Sequence, residues 1–155
     1  MTLEHPQTGA EPIFFYQFGA PFAEFSNMSR HTIEMDGEIW LSVEHYFQAQ
    51  KFPNSPHQDA IRRAKLPSVA AWLGQTREVP LRADWESVKD DMMRKGVRAK
   101  FTQHPELCAL LLSTGETVLI EHSASDGYWG DGGDGSGKNT MGKILMEIRQ
   151  ELRSA

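Results

Sequence analysis

Glu44, Gln48 and Lys51 stand at i, i+4 and i+7 within Ser42–Phe52. A helix there sets a carboxylate, an amide and an amine on one face. The neighbouring stripe, Val43, Tyr46, Phe47 and Gln50, is mostly apolar and is expected to point inward. A carboxylate and an amine at the rim of an apolar stripe suit proton transfer. Desolvation raises a carboxyl pKa and a nearby ammonium lowers it, so the pair can be tuned. The same spacing also fits an exposed Glu–Lys ladder, and taken alone it favours that commoner arrangement.

A second chemical candidate is the glycine- and aspartate-rich loop Ser123–Lys138, before the last helix. Loops this long are usually functional or disordered, and disordered segments are poor in Tyr and Trp, so Tyr128 and Trp129 favour function. Trp129 is placed to stack on a flat ring, and Asp126 to accept from hydroxyls or an amine. Gly132 to Asn139 reads G-x-x-x-x-G-K-N, but Asn139 stands where a phosphate-binding loop carries its magnesium-holding hydroxyl. No second strand-and-carboxylate signal accompanies it, so a nucleoside triphosphatase is excluded. Asp126, Asp131 and Asp134 miss the alternating spacing of a calcium loop, and no terminal glutamate follows. What survives is a helix N-terminus near Asn139, whose free N–H groups, with Lys138, are expected to attract a phosphate.

The remaining aromatic and basic residues, Arg30, Trp40, Trp72, Arg77, Arg82 and Trp85, are scattered. Trp72, in an alanine-rich helix, is read as core; Trp85, at a helix start, fits either core or site. The six histidines show no paired zinc spacing, and His45 points off the Glu44–Lys51 face. Cys108 lies in an apolar helix and is read as a core residue.

The elements that must position these groups follow from the pattern. Ile13 to Phe18 is strand-like and stops at Gly19 and Pro21. Thr32–Met35 and Glu38–Leu41 flank Asp36-Gly37, the signal for a two-residue hairpin. Ser42 is expected to cap the helix carrying Glu44, which Pro53 ends. Ser55-Pro56 and Pro67 start two more helices, the second closed by Gly74. Asp84 is expected to cap a helix whose stripe is Trp85, Val88, Met92, Val97 and Phe101. Pro105–Ser113 is a short apolar helix, Thr117–Glu121 a buried strand, and Met141, Ile144, Leu145, Ile148 and Leu152 the core stripe of the last helix.

Composition sets the bounds. The chain has 155 residues, 39% apolar and 24% charged, which suits a single core-forming domain. One cysteine excludes an intramolecular disulfide and a multi-cysteine zinc site. Met1–Pro12 lacks a basic segment followed by an apolar one, so no leader is expected, and no apolar run approaches a membrane span. The expectation is a cytoplasmic protein with a flexible tail over residues 1–12. Net charge is −5, with 10 basic and 5 acidic residues between Arg62 and Lys100 and 6 against 16 elsewhere. A basic middle in an acidic chain suits a small anionic ligand better than a long polyanion.

The order of the segments carries one further observation. Ser42-Val43-Glu44-His45-Tyr46-Phe47-Gln48-Ala49-Gln50-Lys51-Phe52 strongly resembles the signature of the YbiA-like, or NADAR, family. Phe25-Ser26-Asn27, Arg82-Ala83-Asp84-Trp85, Lys100-Phe101, Leu111 to Gly115, Trp129-Gly130 and Gly137 to Gly142, then Leu145-Met146 and Arg149, recur in the family's order. The resemblance covers residues 13 to 153. It implies a predominantly helical α+β fold over 13–155, one compact domain with a few short strands including the hairpin. It implies an N-glycosidase needing neither metal nor organic cofactor. The expected substrate is a ribosylamino-pyrimidine 5′-phosphate of the early riboflavin pathway, cleaved to ribose 5-phosphate and an aminouracil. Alternatives are removal of ADP-ribose from modified guanine, the one case with a nucleic-acid partner, and non-catalytic ADP-ribose binding. The resemblance reverses the reading of Glu44 from ladder to general acid/base. It gives Lys51 the phosphate, a pairing with Glu44, or attack on the opened sugar aldehyde, and Asp126, the third catalytic residue, the ribose hydroxyls or support of the positive charge. Trp129 would stack on the base or sugar, with Asn27, Gln48, Trp85 and Asn139 as further contacts and Arg30, Arg82 and Lys138 as phosphate candidates.

Overall fold

The computed structural model describes residues 11–16, 19 and 21–155. The tail expected over 1–12 and the end of the first strand run, Gln17 and Phe18, therefore lie almost wholly outside the described residues. In chain order the elements are β1 (Ile13–Phe15), β2 (Ile33–Met35), β3 (Glu38–Trp40), α1 (Val43–Ala49), α2 (Pro56–Arg63), α3 (Pro67–Gly74), α4 (Trp85–Gln103), α5 (Pro105–Ser113), β4 (Leu119–Glu121) and α6 (Thr140–Ser154). The fold is α+β and predominantly helical. The elements fall into two packed units: Asn27–Gln103, and His104–Ala155 together with the described residues before Asn27.

Within Asn27–Gln103, β2 and β3 pair antiparallel, Ile33 opposite Trp40 and Met35 opposite Glu38. Asp36 (φ 55°) and Gly37 (φ 77°) form the turn, both left-handed as a two-residue hairpin of matching twist requires. The Ser42 side chain accepts from His45 N, capping α1, and Ser55 does the same for α2 at Gln58 N. Pro56 and Pro67 occupy first turns, where a missing N–H costs nothing. α1 packs against α2, α3 and α4. It is therefore enclosed on every side, and Glu44, His45 and Gln48 are as buried as Val43 and Phe47. The exposed Glu–Lys ladder that the spacing taken alone would favour is not formed.

Three expectations are corrected here. Trp72 is 74% exposed, because α3 turns Ala70 and Gly74 inward and the indole outward. Asp84 does not cap α4 with its carboxylate, which takes the Arg82 guanidinium at 2.6 and 3.1 Å; its backbone carbonyl receives Ser87 N and Val88 N instead. Of the stripe expected on α4, Trp85, Val97 and Phe101 are buried, whereas Val88 and Met92 are only half-buried and Met93, Gly96, Ala99 and Lys100 are buried in addition.

In the other unit β1 and β4 pair in parallel, Ile13 opposite Leu119 and Phe15 opposite Glu121. Phe15 packs edge-on against Phe25 at 5.9 Å. α6 covers β4 with Met141, Ile144, Leu145 and Ile148, and α5 packs on α6. Arg149, also buried, donates to Thr114 Oγ1 (2.9 Å) and the Thr117 carbonyl (2.7 Å), tying α6 to the turn before β4. Cys108 is half-buried on α5 rather than in the core.

Candidate active site

The Ser42 cap and the proline after Phe52 fix α1 in length, and burial fixes its rotation. Glu44 lies in the first turn, 7% exposed. Asn27 Nδ2 donates to its Oε1 at 2.8 Å and Gln48 Nε2 to its Oε2 at 3.3 Å. Asn27 reaches it because its own carbonyl accepts Glu44 N at 3.1 Å, anchoring the preceding loop to the start of α1. Amide donors on both oxygens suit an ionised carboxylate, which only accepts.

Lys51 follows one turn after Gln48, past the end of α1. Its Nζ donates to the Gly74 carbonyl at 3.1 Å, at the C-terminus of α3, and lies 5.8 Å from the centre of the Trp85 ring. Burial pushes the Lys51 amine below its ordinary value; the negative charges of Glu44 and Glu86 pull it partly back, and Lys89 adds to the lowering. Trp85 itself is buried, 5.1 Å from Phe47, so it serves as the apolar wall behind the amine. The structure thus brings Asn27, Glu44, Gln48, Lys51 and Trp85 together. His45 is excluded from this group, as its spacing suggests. It is fully buried, with Nε2 at 2.8 Å from the Ala64 carbonyl and Nδ1 at 2.7 Å from Ser42 Oγ.

Two basic candidates on this unit differ. Arg82 has its guanidinium on Asp84, whereas Arg30 is exposed, with no hydrogen bond or ion pair among the described residues. One buried cation escapes the sequence reading: Lys100, 1% exposed, donates to Ser29 Oγ at 2.6 Å. Its signal is a lysine at i+7 from Met93 and i+3 from Val97, on the buried stripe of α4.

On the other unit the loop candidates mostly hold the loop together. Asp126 Oδ1 accepts from Tyr128 N (3.0 Å) and Trp129 N (2.8 Å). Asp131 Oδ1 accepts from Ser123 N and Gly133 N, and Oδ2 is 2.7 Å from His122 Nδ1. Burial would raise that carboxyl, but the bonds from His122, Gly133 and Ser123 outweigh it and hold it below the usual range. The phosphate site expected at the start of α6 is corrected, because its amides are already used. Asn139 N, Thr140 N and Met141 N donate to the carbonyls of Gly130, Tyr128 and Trp129. The Asn139 side chain is also committed, taking Glu121 N at 2.9 Å and giving to the Leu119 carbonyl at 2.9 Å. Lys138 Nζ lies over the Tyr128 ring at 5.2 Å, and Trp129 packs edge-on against Tyr128 at 5.0 Å. Among the described residues, no group of three or more His, Cys, Asp or Glu could hold a metal ion, and no helix is long and apolar enough to cross a membrane.

A buried carboxylate steered by amides, with a desolvated amine nearby, is a site for proton and amine chemistry on a polar substrate. The NADAR domain pattern matches residues 14–153, and the chain belongs to that family. The N-glycosidase YbiA of Escherichia coli is 51% identical over 140 residues, spanning 90% of this chain and 88% of the relative. The N-glycosidase Npun_R5314 of Nostoc punctiforme is 42% identical, with 92% and 93% covered. The riboflavin biosynthesis protein VVA0006 of Vibrio vulnificus is 41% identical over 92% of this chain, which spans 39% of that longer protein. The NMR structure of E. coli YbiA superposes with a TM-score of 0.85 at 46% identity, covering 97% of this chain and 90% of that one.

Proposed function

We propose that this N-glycosidase hydrolyses the C1–N bond of a ribosylamino-pyrimidine 5′-phosphate, releasing ribose 5-phosphate and an aminouracil. The observation that carries the reading is the Glu44 carboxylate, buried and aimed by Asn27 and Gln48, beside an amine whose protonation burial disfavours. The naming of a relative for riboflavin biosynthesis supports the choice of substrate.

In its open-chain form such a glycosylamine carries an imine at C1. The Lys51 amine adds to that carbon, and the aminopyrimidine leaves with a proton carried by Glu44. Water then hydrolyses the enzyme-bound imine, returning the free amine and the sugar aldehyde. The ionised carboxylate also stabilises positive charge developing at C1 and nitrogen. Arg30, exposed on the same unit as Glu44 and Lys51, is the proposed phosphate ligand. The proposed location of this reaction is the cytoplasm.

The test offers the purified protein two substrates side by side: the ribosylamino-pyrimidine phosphate and an oligonucleotide carrying ADP-ribosylated guanine. Ribose 5-phosphate from the first is the expected result. Release of ADP-ribose from the oligonucleotide alone would replace the reading, and saturable nucleotide binding without product would make the protein a binder.

A further inference from the structure

Two choices in Asn27–Gln103 work against stability and meet at one point. The first is Gln48. The residue is 5% exposed, and its Oε1, fully buried, has no hydrogen-bond partner among the described residues. A buried acceptor without a donor is destabilising, and an apolar side chain of similar shape avoids the cost. The second is Gly74, the last residue of α3. Its φ is not in the left-handed region, so the backbone there is one that any residue adopts. Alanine would favour a helical position over glycine.

Space is what position 74 supplies. A Cβ there would lie 2.6 Å from Gln48 Cδ and 2.8 Å from Gln48 Cβ, and nearer still to Oε1. The Gln48 amide thus occupies the volume that any other residue at 74 would fill. With Oε1 against Gly74, Nε2 is turned to Glu44 Oε2. The carbonyl of the same glycine accepts the Lys51 ammonium at 3.1 Å.

We infer that Gly74 and Gln48 form a positioning device for this site. The absent side chain at 74 seats the Gln48 amide, the amide fixes the rotation of the Glu44 carboxylate, and the Gly74 carbonyl sets Lys51 beside it. Neither residue touches the reacting bond; each acts through Glu44 or Lys51. The inference rests on the proposed roles of those two residues, so its test includes a readout that needs no substrate.

Wild type, Gln48→Met, Gln48→Ala, Gly74→Ala and the double variant Gln48→Ala/Gly74→Ala are compared by thermal unfolding and by ribose 5-phosphate release. Without substrate, the Gln48 side-chain NH2 resonances are followed against pH in wild type, Glu44→Gln and Gly74→Ala. Gln48→Met is expected to remain folded, since it removes the orphaned Oε1 along with the donor to Glu44, while kcat falls roughly ten- to hundredfold and KM changes little. Gly74→Ala is expected to lower kcat similarly but to add little in the Gln48→Ala background, since its target is already gone. The NH2 resonances should track a carboxylate titration in wild type, lose it in Glu44→Gln, and lose it again in Gly74→Ala. Full turnover in Gln48→Met, additive losses in the double variant, or unchanged resonances in Gly74→Ala would each overturn the inference. A wild type that releases no ribose 5-phosphate would sink the proposed reaction instead, and the resonances would still decide the positioning.

Discussion

A carboxylate held on both oxygens by amide donors has little rotational freedom, so it can be aimed but cannot easily be replaced. Glu44→Gln keeps the size and removes the charge. It also sets an NH2 group against the Asn27 or Gln48 donors. We expect turnover to fall about 10²- to 10⁴-fold, the range for losing a positioned acid/base. Circular dichroism should stay unchanged; turnover at the wild-type level would remove Glu44 from the mechanism. Lys51 is separable from it by chemistry. Lys51→Arg preserves the positive charge but offers no nucleophilic amine. If the amine forms the imine, borohydride added during turnover should trap a sugar phosphate on wild-type protein and none on the variant. Because burial lowers the amine's pKa, the rise of kcat/KM with pH should come below the ordinary lysine range near 10.5. An arginine variant with wild-type rate would leave Lys51 only an electrostatic part.

At the scale of elements, local signals were readable and long-range ones were not. The hairpin was legible because Asp36-Gly37 fixes its own turn, and α1 to α3 because Ser42, Ser55, Pro56 and Pro67 mark their starts. The parallel pairing of β1 with β4 was not, since the partners lie about a hundred residues apart and no turn links them. The Glu44–Lys51 group was legible as spacing, but its burial was not: three helices enclose α1, and no single helix pattern shows that. Asn139 is the clearest reversal. Read as a ligand contact, it is a splint whose side-chain amide pairs with the β4 backbone from a left-handed position, φ 53°. Gly142 permits this approach, since a Cβ there would collide with the Leu119 carbonyl and the Asn139 amide. Asn139→Ala leaves Glu121 N and the Leu119 carbonyl unpaired. The expected loss is about 2–4 kcal/mol in urea unfolding, with turnover per folded molecule retained. Normal stability with lost turnover would restore Asn139 to the substrate.

Across the whole molecule, buried titratable groups set the pH range of stability, and each contribution has a definite sign. Burial lowers the pKa of His45 from 6.5, with the Ala64 carbonyl opposing, so the imidazole folds neutral. Below pH 6.5 the unfolded chain takes up a proton that the folded one resists. Stability therefore falls with pH there, by at most about 1.4 kcal/mol per unit for one group. Asp131 acts in the same direction at lower pH, where its depressed carboxyl stays ionised after the unfolded one has protonated. Tyr46 acts at the other end. Burial, helped by the charge of Asp36, pushes its phenol from 10.0 to about 12, so between those values the unfolded chain ionises and the folded one does not. Urea midpoints measured from pH 4 to 11 should thus rise through the His45 range and fall again above 10. His45→Gln, whose amide can still donate to Ala64, should flatten the rise below 6.5, and Tyr46→Phe the fall above 10. A His45→Gln protein that keeps the wild-type slope between pH 5 and 6.5 would assign that slope to other groups. The basic middle of the sequence, exposed at Arg63, Lys65, Arg77 and Lys95, bears instead on how a small anion is met by a chain of net charge −5.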